Sequence, residues 1–177
     1  MQNERKPTTA SNVMSRLFFR FFLAYLAACP LACFLGAKGV PRLAVFGEGD
    51  IALLFVLLAL LGAFSTISKP YLLLLAFLKG FYDTALLYEV SRLIGTGKIG
   101  VLAWNACFLL VLFSLLLFAI AAARAQLFSF VNAKRDMQLL LSGSFWLYLF
   151  EAVFFLALAL SLYFLWPLLC ERLLLPL

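Results

Sequence analysis

The chain of 177 residues is too apolar for a water-soluble domain, because 66% of it is hydrophobic and only 12% is charged, with a mean hydropathy of +1.09. A soluble domain of this size is closer to half apolar. The net charge of +6 comes from basic residues scattered between apolar runs, which excludes a nucleic-acid-binding stripe. The composition predicts an all-α, polytopic membrane bundle of about five helices, since each span needs roughly 20 residues.

The first apolar run follows a polar stretch, 1–15, whose Thr, Ser, Asn and charged residues are typical of a disordered tail. We predict the first span over 16–36, where Pro30 either kinks the helix or marks its deep half, as bilayer helices tolerate. An alternative is open here, because LAAC at 26–29 matches a bacterial lipoprotein cleavage box. The long polar stretch before the box and Pro30 directly after it favour an uncleaved first span.

Four further apolar runs complete a single transmembrane domain over 16–177. Ser68 is suited to cap the third helix and Pro70 to its first turn, while the glycines of 95–100 end it. The second and third runs are joined by a very short turn, which predicts an antiparallel hairpin. The mixed segment 124–143 is interpreted as a helical extension or an interfacial segment. The predicted spans are 16–36, 51–68, 70–94, 101–123 and 144–169.

The orientation is predicted from the Lys and Arg residues of the connections, which are enriched on the cytoplasmic side of membrane proteins. With five spans, the N-terminal tail, the turn at Lys69 and the segment after Arg124 share one side of the membrane. They carry more basic residues than the other connections. We therefore predict a multi-pass protein of the cytoplasmic membrane, with the N-terminus in the cytoplasm and the C-terminus outside.

Two opposite charges lie near the middle of the third predicted span. Lys79 and Asp83 are four residues apart and hence share one helix face. Counted from Pro70, they lie about 13 to 20 Å into the helix. Charges at that depth are costly and usually occur in pairs that face protein or water. The pair is either structural or a transport site, and Gly80 beside it would let another helix approach closely.

The other ionisable and polar residues of the spans are interpreted as interhelical contacts. Glu89 and Arg92 are predicted to pair nearer the membrane edge, and Glu89 lies about 80° from Lys79 around the helix. A single polar stripe, as a pore lining needs, is therefore not predicted. Glu151 could neutralise Lys79 or Arg92, and Asn105 is predicted to donate an interhelical hydrogen bond. These charges make the third span the predicted protein-facing element of the bundle.

The sequence contains no signature of an enzyme. It has no His, which excludes a Ser-His-Asp triad and a His-Glu-x-x-His metal motif. Intramembrane proteolysis by paired aspartates would need two, and only Asp83 lies in a predicted span. The four Cys residues show no Cys-x-x-Cys spacing. We therefore predict a non-enzymatic protein with neither a metal site nor a cofactor.

The stretch 71–118 resembles the membrane protein family of stage II sporulation protein M. The shared feature is LLLLAFLKGFYDTALLYEVSRLIGTGKIGVL, an apolar run into Leu78-Lys79-Gly80 followed by a glycine-containing turn and a long apolar helix. The five-span plan, the basic segment after the fourth span and a carboxylate in the last helix, here Glu151, agree with it. The chain departs from the family in its shorter first outer loop and in a fourth span without prolines.

The resemblance implies a bacterial membrane scaffold, of the kind that anchors cell-wall-degrading enzymes at the septum during sporulation. A further departure is Asp83, which stands where the family usually has additional glycines. The expected partners are membrane lipids and other membrane proteins, such as cell-wall hydrolases or an ATP-driven transport system, and not nucleic acid; a homo-oligomer stays open. The alternative is a small transporter or permease subunit that uses Lys79 and Asp83, although the chain lacks paired inverted halves.

Overall fold

A computed structural model describes residues 10–37, 48–64, 67–95, 100–132 and 143–169, and almost all of them are helical. The prediction of an all-α helical bundle is confirmed for this part of the chain. A 3₁₀ turn, Gly62–Phe64, directly follows the second helix. The five α-helices are α1 (Ala10–Ala37), α2 (Glu48–Leu61), α3 (Ser68–Gly95), α4 (Val101–Asn132) and α5 (Gly143–Leu169).

Four of these helices, α1, α3, α4 and α5, are long and apolar enough to cross a membrane. The second helix is shorter than the predicted span over 51–68, because the chain leaves the α-helix at Gly62. A Cβ at Gly62 would come within 3.0 Å of the Tyr71 and Leu72 side chains, so the chain turns tightly onto α3 there. The 14 residues of α2 rise about 21 Å, less than the roughly 30 Å of a hydrocarbon core.

Two helices extend beyond their predicted bounds. The first begins at Ala10, inside the stretch interpreted as a tail, and it continues through Pro30. The fourth runs past its predicted end at 123 to Asn132, so part of the mixed segment is a helical extension. Residues 1–9, 38–47, 65–66, 96–99, 133–142 and 170–177 lie outside the described residues, and with them part of the second predicted span and most of the glycine-rich stretch 95–100.

The predicted cap of α3 is wrong. Ser68 is buried, and its hydroxyl has no hydrogen-bond partner within the described part of the chain. The first backbone bond of the helix runs from the Tyr71 amide to the Ile67 carbonyl at 3.2 Å, which puts Ile67 in the capping position. Ser68 is thus the first residue inside the helix rather than the residue that caps it.

Contacts between helices establish their directions. A Cβ at Gly80 in α3 would clash with the Tyr25 carbonyl oxygen in α1, and Thr84 bonds Cys29 four residues further along both helices. Hence α1 and α3 run parallel and in register. Tyr148, near the start of α5, donates to a carbonyl near the end of α2 at 2.7 Å. We call the end where α1, α3 and α5 begin and α2 and α4 end the N-terminal end of the bundle.

Of the four long helices, α4 has the largest buried share, whereas α3, the predicted protein-facing helix, carries the buried ion pair. In an apolar 18-residue window of each helix, 50% of the α4 residues are buried, against 33% of those of α3. Ala121, Ala122 and Ala123 are fully buried although they point in three successive directions around the helix. Such small side chains let neighbouring helices approach α4 from several sides, as is common in membrane bundles.

Candidate functional site

The deepest polar feature of the molecule is the ion pair between Lys79 and Asp83. The Lys79 ammonium lies 2.9 Å from Oδ1 and 3.0 Å from Oδ2 of the Asp83 carboxylate. Both residues are 0% exposed. They follow Ser68 by about 16 and 22 Å along α3, at 1.5 Å per residue, so they lie in the middle of the span. The pairing agrees with their predicted position on one helix face.

A third hydrogen bond reaches this carboxylate from α1. The Tyr25 hydroxyl donates to Oδ2 of Asp83 at 3.0 Å, and the bond is buried. Asp83 therefore accepts three hydrogen bonds, close to the four lone-pair sites of a carboxylate. Sequence reasoning missed Tyr25, although a phenol inside an apolar span normally needs a partner for its hydroxyl.

The glycine beside the pair lets α1 come into direct contact with α3. A Cβ at Gly80 would overlap the Tyr25 carbonyl oxygen and lie 2.9 Å from the Tyr25 Cα atom. One turn further along, the Thr84 hydroxyl donates to the Cys29 sulfur at 3.1 Å. Close backbone contact at Gly80 is what brings the Tyr25 hydroxyl within reach of the carboxylate, as the sequence predicts for a glycine in this position.

Two aromatic rings close the other side of the ion pair. The Lys79 nitrogen lies 5.6 Å from the centroid of the Phe55 ring, a cation–π distance. Phe55, in α2, meets Phe118 of α4 edge to face, with centroids 6.1 Å apart. Four helices thus meet at this level. We call Tyr25, Phe55, Lys79, Gly80 and Asp83 the charge cluster.

The charge cluster is chemically self-contained. The ammonium is matched by one carboxylate, and the carboxylate's oxygens are bonded to Lys79 and Tyr25. Pairing with good geometry and additional hydrogen bonds is what makes buried charges tolerable at such depth. Within the described ranges, no group of three His, Cys, Asp or Glu residues could hold a metal ion.

The predicted pair of Glu89 and Arg92 is present but loose. The Arg92 Nε atom lies 3.8 Å from the Glu89 carboxylate, and the two side chains are 56% and 34% exposed. Both residues lie on α3 towards the end opposite to the N-terminal end of the bundle. Nearby, the Trp104 indole nitrogen donates to the Ser91 hydroxyl at 3.0 Å. As the helical wheel predicts, no single polar stripe connects Glu89 with the buried pair.

The predicted partners of Glu151 are wrong. Its carboxylate lies 3.4 Å from the guanidinium of Arg124, not beside Lys79 or Arg92. Because α5 begins where α4 ends, Glu151 is level with Arg124, whereas Arg92 is at the opposite end and Lys79 is enclosed with Asp83. The ion pair joins α4 to α5 and is partly open to the surroundings, with 47% and 24% of the two side chains exposed.

The prediction for Asn105 is also wrong. It lies in the first turns of α4 on an outward face and is exposed. Its side chain makes no hydrogen bond to any residue that the structure describes, because the face of α4 that meets other helices carries Cys107, Val111 and Ser114 instead. Asn105 therefore does not join the charge cluster.

The fold and the charge cluster together describe an all-helical bundle whose four long helices are apolar enough to cross a membrane, with an ion pair sealed inside it. Comparison of the chain with protein-family models, with curated proteins and with solved structures finds no match. The resemblance to the family of stage II sporulation protein M therefore stays a prediction based on the residues of 71–118.

Proposed function

We propose that the protein is a non-enzymatic scaffold or assembly protein of the cytoplasmic membrane, which holds other membrane proteins against its outer helix faces. The observation that carries the proposal is the closure of the charge cluster. Lys79 and Asp83 are 0% exposed, and both carboxylate oxygens already bond protein groups. A transported ion or solute would have to displace these bonds, whereas a structural pair uses them to hold α1 against α3.

The outer surface supports the same proposal. Large apolar side chains stand outward on all four long helices, with Leu74, Leu109 and Phe150 between 58% and 74% exposed. In a bilayer such faces meet lipid or the helices of a partner. The proposed partners are therefore membrane proteins, and the resemblance suggests cell-wall hydrolases with a membrane anchor or subunits of an ATP-driven transport system.

The first experiment tests for partners by photo-crosslinking in native membranes. A photoreactive amino acid is placed singly at Leu74, Leu109 and Phe150, and at Val111 as a buried control that is 1% exposed. We expect a discrete protein adduct from at least one outward position and only intramolecular products from Val111. Lipid adducts alone from all three outward positions would contradict the scaffold proposal.

The second experiment tests the alternative of a transporter. The purified protein is reconstituted into proteoliposomes, alone and with any crosslinked partner, and ion- and pH-dependent flux is measured. We expect the wild-type protein to show no more flux than the Asp83→Asn variant. Flux that depends on Asp83 would overturn the scaffold proposal.

A third experiment compares partner binding in pull-downs. The double variant Lys79→Leu/Asp83→Ala should retain partners better than either single variant. Each single variant leaves one unpaired charge buried in the bundle, whereas the double variant leaves none.

A further inference from the structure

A group of basic side chains stands outward at the N-terminal end of the bundle. Its members come from three different helices: two from α1, one from the first turn of α3 and one from the last third of α4. All of them are exposed, and they face the surroundings rather than the core. We call this group the basic collar, and it consists of Arg16, Arg20, Lys69 and Arg124.

The collar lies between the charge cluster and the N-terminal end of the bundle, which follows from the contacts of the charge cluster. Tyr25 is level with Gly80, so Arg20 and Arg16 lie about 8 and 14 Å from the cluster along α1 at 1.5 Å per residue. Lys69 lies about 17 Å from Gly80 along α3. Half of a hydrocarbon core is about 15 Å thick, so these side chains reach the headgroup layer of one leaflet.

Arg124 belongs to the same level. It follows Phe118, which contacts the charge cluster through Phe55, by about 9 Å along α4. Long basic side chains at this depth extend towards the headgroups. Arg124 has 47% of its side chain exposed while it lies within the apolar stretch Trp104–Ser129. The half-exposed Arg124 guanidinium contacts Glu151 through one nitrogen and so keeps N–H donors for a polar partner supplied by the membrane.

Within the described part of the chain, fewer acids than basic side chains lie near the collar. Among the described residues at this level, Glu151 is the acid in contact with it, and it bonds Arg124 only loosely at 3.4 Å. Arg16, Arg20 and Lys69 form no ion pair within the part of the chain that the structure describes. Towards the opposite end, Arg92 is matched by one acid, Glu89, at the longer distance of 3.8 Å. Among the residues whose side chains the structure describes, the basic ones without an acid in contact therefore lie at the N-terminal end.

The surroundings of the collar are apolar and aromatic. Phe18, Phe19 and Phe22 alternate with its arginines on α1 and are 37%, 60% and 38% exposed. Trp146, at the start of α5, is 61% exposed. Aromatic and basic side chains together at one level are typical of a membrane–water interface. A soluble protein partner could not reach this level without displacing lipid.

We propose that the basic collar is a binding surface for anionic phospholipid headgroups. Guanidinium and ammonium groups donate charge-assisted hydrogen bonds to phosphate oxygens, and arginine can do so with two parallel bonds. The collar would thereby recruit a shell of anionic lipid around α1, α3 and α4 in one leaflet. This inference is independent of the scaffold proposal, because it concerns lipids and would hold for a transporter as well.

The test uses Trp146 as a reporter at the level of the collar. The variant Trp104→Phe/Trp166→Phe leaves it as the single tryptophan. The protein is reconstituted into mixed vesicles in which either phosphatidylglycerol or phosphatidylcholine is brominated, and quenching of the Trp146 fluorescence is compared. We expect stronger quenching by brominated phosphatidylglycerol, and a weaker difference in high salt because salt screens the attraction.

Two sets of variants decide the outcome. The triple variant Arg16→Gln/Arg20→Gln/Lys69→Gln should show no preference for phosphatidylglycerol. Each charge removed should reduce this preference about two- to fivefold. The charge-conserving variant Arg16→Lys/Arg20→Lys/Lys69→Arg and the remote variant Arg92→Gln should keep it. If the triple variant fails to insert into the membrane, the three single Gln variants replace it in the assay. Each of them should lower the preference for phosphatidylglycerol.

Equal quenching by the two brominated lipids, or an unchanged preference in the Gln variants, would overturn the proposal. A last arm separates lipid from free phosphate. Inorganic phosphate should weaken the preference no more than chloride at the same ionic strength. If millimolar inorganic phosphate removed the preference, the collar would be a site for soluble phosphate and not for a lipid headgroup.

Discussion

Two ion pairs inside the same bundle differ in almost every physical respect. Lys79 and Asp83 lie 2.9 Å apart, are closed off from the surroundings and belong to one helix. Arg124 and Glu151 lie 3.4 Å apart on two helices, and their side chains are 47% and 24% exposed. The first pair exists as soon as α3 is helical, whereas the second forms only when α5 packs beside α4.

The difference shows which charge pair holds the fold together. A pair within one helix lowers the cost of placing that helix in a bilayer before any neighbour arrives. Once Tyr25 and Phe55 close over it, removing either partner leaves a charge in an apolar interior. The pair between α4 and α5 keeps access to the polar headgroup layer, so losing a partner there leaves a charge that can still be solvated.

The largest effect is expected from breaking the buried pair. Lys79→Leu or Asp83→Ala alone should lower the free energy of unfolding by about 3–5 kcal/mol, because each leaves an uncompensated buried charge. The double variant should lose less than either single one. Unfolding in bicelles, followed by steric trapping, measures all three. A double variant that is less stable than both single variants would refute the structural role of the pair.

A smaller but still large effect is expected at the contact between α1 and α3. Gly80→Ala places a methyl group onto the Tyr25 carbonyl, and such overpacking typically costs about 1–3 kcal/mol. Gly95→Ala is the matched control, since a Cβ there meets nothing within 4 Å. The same unfolding assay compares them, and equal stability of the two variants would show that α1 does not approach α3 as described.

Tyr25→Phe should cost less again, because it removes one hydrogen bond and leaves the ion pair intact. A hydrogen bond to a charged group contributes about 1.5–3 kcal/mol in soluble proteins, and interhelical bonds in membranes average about 0.6 kcal/mol. We expect about 1 kcal/mol, between these values. Tyr71→Phe, which loses a partly buried bond of 3.1 Å to the Leu58 carbonyl, is the control.

A double-mutant cycle sharpens this prediction. In the Lys79→Leu/Asp83→Ala background the carboxylate is absent, so Tyr25→Phe should have little further effect on the free energy of unfolding. Tyr71→Phe should destabilise this variant as much as it destabilises the wild-type protein. An unchanged effect of Tyr25→Phe in that background would mean that its hydroxyl stabilises something other than Asp83.

The smallest effect is expected at the half-exposed pair. Arg124→Gln, Glu151→Gln and the double variant should each change the free energy of unfolding by less than about 1 kcal/mol, as is usual for exposed ion pairs. Thermal unfolding in detergent is sufficient to test this. A loss of unfolding free energy as large as that caused by Asp83→Ala would show that the two ion pairs contribute equally to stability.

The parts of the site that were predicted correctly all lie within one helix. The pairing of Lys79 with Asp83 and of Glu89 with Arg92 follows from spacings of four and three residues. The role of Gly80 as a point of close approach follows from the absence of a side chain. The errors concern contacts between helices: Glu151 was assigned the wrong partners, and Asn105 an interhelical hydrogen bond that the described residues do not show.

The sequence by itself determined the apolar helical class of the protein, most of its helices and the ion pair at the middle of α3. These follow from composition and from the fixed rise and rotation per residue of a helix. Only the tertiary structure decided that Tyr25 and Phe55 complete the charge cluster, that α4 is the most enclosed helix and that Arg124 pairs with Glu151. Which helices become neighbours depends on the packing of whole helix surfaces, and no local pattern of residues encodes that choice.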